Sequence, residues 1–277
     1  MSGKKRKLKQ KLNKNLGNVY AMLIYAFIYA PIAVMVVFSF NDQKTNYYWK
    51  GFTLKWYEKL FTHSSIVEYL WNSLYIAIVA TIISVIIGTI GAVALVRFEF
   101  KLKKAVNTSL YIPIVIPEVV LGISLLMLFE FIDLPLGFFA IILSHATFCI
   151  PFVIIIMRGR LAGMDLSVEE ASMDLGANRM VTFFRVTLPM LVPGIISGAF
   201  ISFTLSIDDV IISNFVSGPY STTLPVKILS LVKTGLSPEV NALATIMIAV
   251  VLLGIVINSV AQALMKKRAL THIKSYF

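Results

Sequence analysis

Six long apolar runs separated by short polar segments set the plan of this chain: Val19 to Phe40, Ser73 to Val96, Val106 to Phe131, Phe138 to Met157, Leu188 to Ile212 and Ala242 to Leu264. At about 1.5 Å of rise per residue, each can cross the roughly 30 Å of hydrocarbon in a bilayer as a helix. Only helices and closed barrels satisfy their backbone polar groups in lipid, and runs of this length exclude the short alternating strands of a barrel. The pattern predicts an all-α integral membrane protein: a basic tail over 1–18, one six-helix domain over 19–264 with a polar loop at 158–187, and a second tail over 265–277. Composition points the same way, with 58% hydrophobic and only 14% charged residues and a mean hydropathy of +0.83. A soluble domain mixes its residues far more evenly. One domain of this kind leaves no room for an attached enzyme.

Lysine and arginine are unevenly placed, and that sets an orientation. Basic residues fill the N-terminus (Lys4, Lys5, Arg6, Lys7, Lys9, Lys11, Lys14), the second loop (Arg97, Lys101, Lys103, Lys104), the fourth loop (Arg158, Arg160, Arg179, Arg185) and the C-terminus (Lys266, Lys267, Arg268, Lys274). The opposite side has only Lys44, Lys50, Lys55, Lys59, Lys227 and Lys233. Positively charged short loops stay in the cytoplasm, so both termini and the fourth loop are expected there. The net charge of +11 is then a topology signal and an attraction to anionic membrane lipid, not a nucleic-acid footprint. The first apolar run is too long for the core of a secretion signal and carries no cleavage pattern, so it is expected to be a retained span. The lone Cys149 falls inside the fourth span and is expected to be a packing residue.

The fourth loop has a fixed internal spacing: Glu170-Ala171-Ser172, three residues, Gly176, nine residues, Val186, one residue, Leu188-Pro189. With Glu169, Glu170, Asp174, Arg179 and Arg185 it must face water, since a charge at the bilayer centre costs at least about 2.5–3.5 kcal/mol. Glu170, Ala171 and Asp174 fall at helical spacing, and Gly176 can end a turn. This spacing resembles the Glu-Ala-Ala signature of permease subunits in binding-protein-dependent ABC transporters, with Ser172 and Val186 as the two departures. The resemblance implies a six-transmembrane-helix ABC importer permease fold whose cytoplasmic coupling helix docks on a separate ATPase. The expected ATPase-coupling residues are Glu170, Ala171, Ser172, Asp174, Gly176, Leu188 and Pro189. No phosphate-binding Gly-x-x-x-x-Gly-Lys-Ser/Thr loop occurs in the sequence, so no ATP site is expected in this chain.

Acidic residues in the spans are the candidates for substrate contact. Glu118 sits about twelve residues into the third span, which puts it near the midplane if that span is straight. It follows Pro113 and Pro117, whose rings free backbone carbonyls to line a polar cavity. Asp208 and Asp209, preceded by Ser206, fall in the outer half of the fifth span, and Glu130 near the end of the third. Facing one lumen, they would draw a cation and repel an anion. His145 is expected to bond a neighbouring helix rather than touch substrate. Gly194 and Gly198 offer a close helix approach, either at an interface with a second permease or within this subunit. The outer segment Asn41 to Leu70 holds Tyr47, Tyr48, Trp49, Phe52, Trp56, Tyr57 and Phe61. Most read as an interfacial belt, with Trp56 singled out as a cation-π contact.

Ser206-Ile207-Asp208-Asp209-Val210, Phe215-Val216-Ser217-Gly218-Pro219, Leu224-Pro225 and Gly235-Leu236-Ser237-Pro238-Glu239-Val240-Asn241-Ala242 resemble the permeases of spermidine/putrescine importers, and the likeness extends from about Tyr20 to the sixth span. It implies polyamine as substrate and a path through Trp56, Glu118, Ser206, Asp208 and Asp209; at Glu118 the family more often has Asp. It also implies a second related permease, an ATPase subunit dimer that binds ATP and Mg, and an extracytoplasmic polyamine-binding protein. No cofactor, metal or catalytic residue is expected in this chain. Three other readings stand beside it: an ABC permease for ferric iron, thiamine or an oxyanion, a secondary cation transporter driven by an ion gradient, and a nontransporting membrane scaffold, which explains the hydropathy but neither Glu118 nor the loop spacing.

Overall fold

The computed structural model describes residues 2–43, 48–63, 65–234 and 238–274. Lys44, Tyr47, Gly235-Leu236-Ser237 and the tail residues 275–277 lie outside them, as do the side chains of the basic stretches at both ends. Among the described residues the structure is helical, with one isolated bridge between Asn41 and Phe52. Among the described residues five helices are long and apolar enough to cross a membrane, and a bent helix pair supplies a sixth crossing if counted as one span. The chain groups into two compact units, Met1–Ser64 with Thr234–Phe277, and Ser65–Lys233.

The first unit holds α1 (Ser2–Phe38), α2 (Lys55–His63) and the last helix (Pro238–Lys274). Helix α1 runs without a break from the basic stretch into the first apolar span, and no residue of its apolar window, Leu16–Phe38, is buried. A helix that is apolar all round and bare fits lipid as its solvent. The aromatic segment that follows is tied into a knot around Asn41. Its amide donates to Tyr48 O (2.8 Å) and accepts from Lys50 N–H (2.8 Å), while its own carbonyl accepts from the Trp56 indole (2.8 Å). Phe40 stacks on both Phe52 and Tyr57.

The second unit is built on α3 (Ser65–Arg97), α4 (Lys103–Ser109), α5 (Ile112–Val115), α6 (Glu118–Phe131), α7 (Phe138–Ala162), α8 (Ser167–Asp174), α9 (Arg179–Thr182), α10 (Leu188–Ile207), α11 (Ile211–Val216) and α12 (Leu224–Thr234). Its core is α7 held between α3 and α10. The backbones approach closely at Gly88 and Gly198: a Cβ on Gly88 would meet Val153 Cγ1 at 2.6 Å, and one on Gly198 would meet the same methyl at 3.3 Å. Gly194 faces Arg160 and Met157 on α7. The small-residue pair of the fifth span is therefore used within this chain.

Two spans depart from the sequence expectation. The third is not straight: Lys103–Val115 and Glu118–Phe131 meet at 112°. Pro117 forces the residue before it out of the helical region, and Ile116 is extended at φ −70°, ψ 134°. Helical rise cannot be counted across such a bend, so Glu118 is not twelve residues down a rod; it opens α6. The fifth span begins earlier than Leu188 and ends before Ile212. Arg179–Ile207 reads as one apolar helical stretch, with a π-helical turn at Phe183–Thr187 just ahead of Pro189. Proline lacks the N–H that would continue the ladder, and a wider turn takes up the mismatch. At the far end the helix stops at Ile207, and α11 starts afresh after Asp208-Asp209-Val210.

Candidate functional site

Two places in the second unit carry polar chemistry, the α8 loop and the break in the fifth span. In the loop, α8 forms where the spacing of Glu170, Ala171 and Asp174 predicts a helix. Its start is capped by Asp165, whose carboxylate accepts Ser167 N–H (3.0 Å) and is thereby held below the usual carboxylate range. Its end is a Schellman closure. Ala177 N–H donates to Ser172 O (3.2 Å) and Gly176 N–H to Met173 O (2.9 Å), with Gly176 at φ +90°. The Asn178 side chain then caps α9 by accepting Val181 N–H (2.9 Å).

The two faces of α8 differ. Inward, Glu169 accepts from Arg97 at the end of α3 (2.6 Å) and from the Thr187 hydroxyl at the base of α10 (3.0 Å), and Ser172 bonds Thr182 (3.1 Å). Outward, Glu170, Ala171, Met173 and Asp174 are exposed, followed by Leu175 at 90%. A leucine so bare on a polar loop, with Met180 and Val181 of α9 exposed as well, puts apolar surface among the charges. Leu188 and Pro189 lie behind the π turn in the first turn of α10. Sequence reasoning missed the Glu169–Arg97–Thr187 joint. The paired acids at 169 and 170 were visible, but nothing in the sequence says which of them turns inward.

In the fifth span, the Asp209 carboxylate is buried and accepts from Ile212 N–H (3.2 Å) and Ser213 N–H (2.7 Å), capping α11. From α7, His145 Nε2–H donates to the same carboxylate (3.1 Å) and lies 3.0 Å from Ser213 Oγ. Its Nδ1 shares a hydrogen bond with Ser206 Oγ (2.7 Å). Cys149, one turn further along α7, packs buried against Ser202. Ser206 and Asp209, two of the expected path residues, thus bond inside the protein.

Asp208 and Glu118 are exposed. Glu118 is one turn ahead of Gly122 on α6, and Gly122 packs against the backbone of Ile212, four residues past Asp208. Asp208 is the cap residue where α10 ends, so the negative pole of that helix adds to its charge. Such a helix end beside a carboxylate suits a cation. Glu118 instead sits in the first turn of α6, whose positive pole supports an ionised carboxylate. Through Gly122, Phe215 and Ile212 helix α6 packs on α11, so the bend of the third span and the break of the fifth lie at one joint. Glu130 is exposed in the last turn of α6. Trp56 belongs to the first unit, where it is buried at 6% with its indole bonded to Asn41.

Residues 80–270 match the family described as the binding-protein-dependent transport system inner membrane component. Over 243 residues the chain is 42% identical to the spermidine/putrescine transport system permease protein PotC of Haemophilus influenzae, covering 88% of this chain and 95% of that one. It is also 42% identical over 240 residues to the putrescine transport system permease protein PotI of Escherichia coli, with 84% and 85% covered. A solved bacterial ABC transporter involved in the import of the acidic polysaccharide alginate superposes with a TM-score of 0.65 at 16% identity, covering 92% of this chain and 96% of that one. At that identity the likeness is one of fold.

Proposed function

The chain belongs to the family of inner membrane components of binding-protein-dependent transport systems, and we propose that it is the permease subunit through which an ATP-driven importer moves polyamines, spermidine or putrescine, into the cell. It is a transport subunit rather than an enzyme. The observation that carries the substrate is the identity of 42% to polyamine permeases along most of the chain. The pair of exposed acids at the two helix breaks supports it: Glu118 and Asp208 offer carboxylates to a chain of ammonium groups, and among the described residues no basic side chain is bonded to either.

In this reading both termini and the α8 loop face the cytoplasm, as the basic residues require. A second related permease completes the path, a binding protein delivers polyamine from outside, and a pair of ATPase subunits binds ATP and Mg. The outward face of α8, from Glu170 to Leu175, docks on the ATPase. Closure of that ATPase on ATP moves α8. The Glu169 joint passes the motion to α3 and α10, and the continuous stretch Arg179–Ile207, about 43 Å at 1.5 Å per residue, carries it to Asp208. Alternating access follows if polyamine binds the outward state more tightly than the inward one.

Proteoliposomes holding the complete transporter, with labelled spermidine or putrescine and the binding protein, test the proposal. Accumulation that needs ATP and persists without a proton gradient is the expected result. Uptake that survives without the ATPase and collapses with the gradient would make the chain a secondary transporter. Competition by ferric iron, thiamine or an oxyanion in place of polyamine would assign another substrate.

A further inference from the structure

His145 has no part in the path just described, yet its ring bonds all three pieces of the interrupted fifth span. From α7 it reaches Ser206 in the last turn of α10 (2.7 Å), Asp209 in the break (3.1 Å) and Ser213 in the first turns of α11 (3.0 Å). The ring is 1% exposed and its three partners are buried as well. Groups so deep have no water to fall back on, so removing the ring leaves each of the others one bond short.

What the ring holds is an angle. Asp208 sits on the α10 side of the break, while Glu118 rides on α6, which packs on α11 through Gly122, Ile212 and Phe215. A change in the angle between α10 and α11 therefore changes the distance between the two exposed carboxylates. His145 bonds neither of them.

We infer that His145 is a positioning residue for selectivity: it fixes the separation of Asp208 and Glu118, and that separation discriminates among linear polyamines by the spacing of their ammonium groups. This rests on the polyamine-importer reading. Spermidine repeats the tetramethylene unit of putrescine and adds a trimethylene one, so a rigid pair of acids set to the shorter or to the end-to-end span favours spermidine and a loose pair does not. Asp209 serves as the fixed point of the clamp, its charge spent on His145 and on two backbone N–H groups.

The test is import by the complete transporter, with its native binding protein, of putrescine and of spermidine in separate and competing assays. His145→Leu removes every bond of the ring; His145→Gln keeps a donor and an acceptor. In His145→Leu the ratio of the two KM values shifts about tenfold, the scale of a lost buried hydrogen bond, and in His145→Gln it stays within about twofold. A role confined to packing lowers import of both amines by a common factor, and an unchanged ratio in His145→Leu overturns the inference while the polyamine reading stands. Wild-type transporter that imports neither amine overturns both. Where His145→Leu is not recovered in the complex, Ser213→Ala removes one bond only. It is expected to move the ratio in the same sense about threefold, and no movement there overturns the inference equally.

Discussion

Gly176 offers the cleanest test of the loop because its backbone and its surroundings make separate demands. Its φ of +90° is required by the closure in which Ala177 and Gly176 return their N–H groups to Ser172 and Met173. A Cβ built there meets nothing within 4 Å, so within this chain a substitution costs only the dihedral. That cost is about 1–2 kcal/mol for an ordinary L residue and reaches about 3 kcal/mol for a β-branched one; Asn, which tolerates the left-handed region, costs less. Helix α8 has eight residues, too short to stand without its ends. At about 1.4 kcal/mol per factor of ten, Gly176→Val lowers the population of the ordered loop by about tenfold to a hundredfold, and Gly176→Asn by about threefold or less. The assay is polyamine imported per ATP hydrolysed in proteoliposomes, with hydrogen exchange at residues 176–177 reporting loop order. Val and Asn are similar in bulk, so crowding by the ATPase would impair them alike. Equal loss in the two variants, or full coupling in Gly176→Val, would refute the dihedral argument.

Three further outcomes follow from the same geometry. Glu169→Gln and Arg97→Gln should each weaken coupling and each cost about 1–2 kcal/mol of thermal stability; a double variant no worse than the poorer single one identifies a shared joint, whereas additive losses would mean that the pair does not act as one. Asp208→Asn should cut import at least about tenfold in a normally assembled complex, while Asp209→Asn should reduce the yield of assembled complex because it weakens a buried cap; the reverse pattern would place the substrate on Asp209. Glu118→Gln should behave like Asp208→Asn, and import equal to wild type would remove the acidic pair from the path.

The apolar spans and the loop helix were legible because each rests on local rules. Twenty or more apolar residues make a span wherever they fall, and the spacing of Glu170, Ala171, Asp174 and Gly176 gives one short helix with a glycine stop, which α8 and its Schellman closure reproduce. The shape of the third span was half legible. Pro113 and Pro117 announced a disturbance, yet the size of the bend depends on what α6 packs against, and Gly122 meeting Phe215 is a contact between distant parts of the chain. The same limit hid the division of labour between Asp208 and Asp209. Adjacent in sequence and identical in type, they differ because only Asp209 points toward α7, where His145 waits. His145 itself was legible as a helix-bonding histidine, but not as the bridge across a break that no proline or glycine announces.

The claim on which the account turns is that the outward face of α8 is where an ATPase grips this protein. Leu175→Cys places a thiol at a point of that face that is 90% exposed, and the one native cysteine, Cys149, is buried. In the assembled transporter a short thiol cross-linker should join position 175 to the ATPase subunit, with a yield that changes when ATP is added. A thiol at 175 that instead reacts with a membrane-impermeant reagent from outside intact cells, or that never reaches the ATPase, would contradict it.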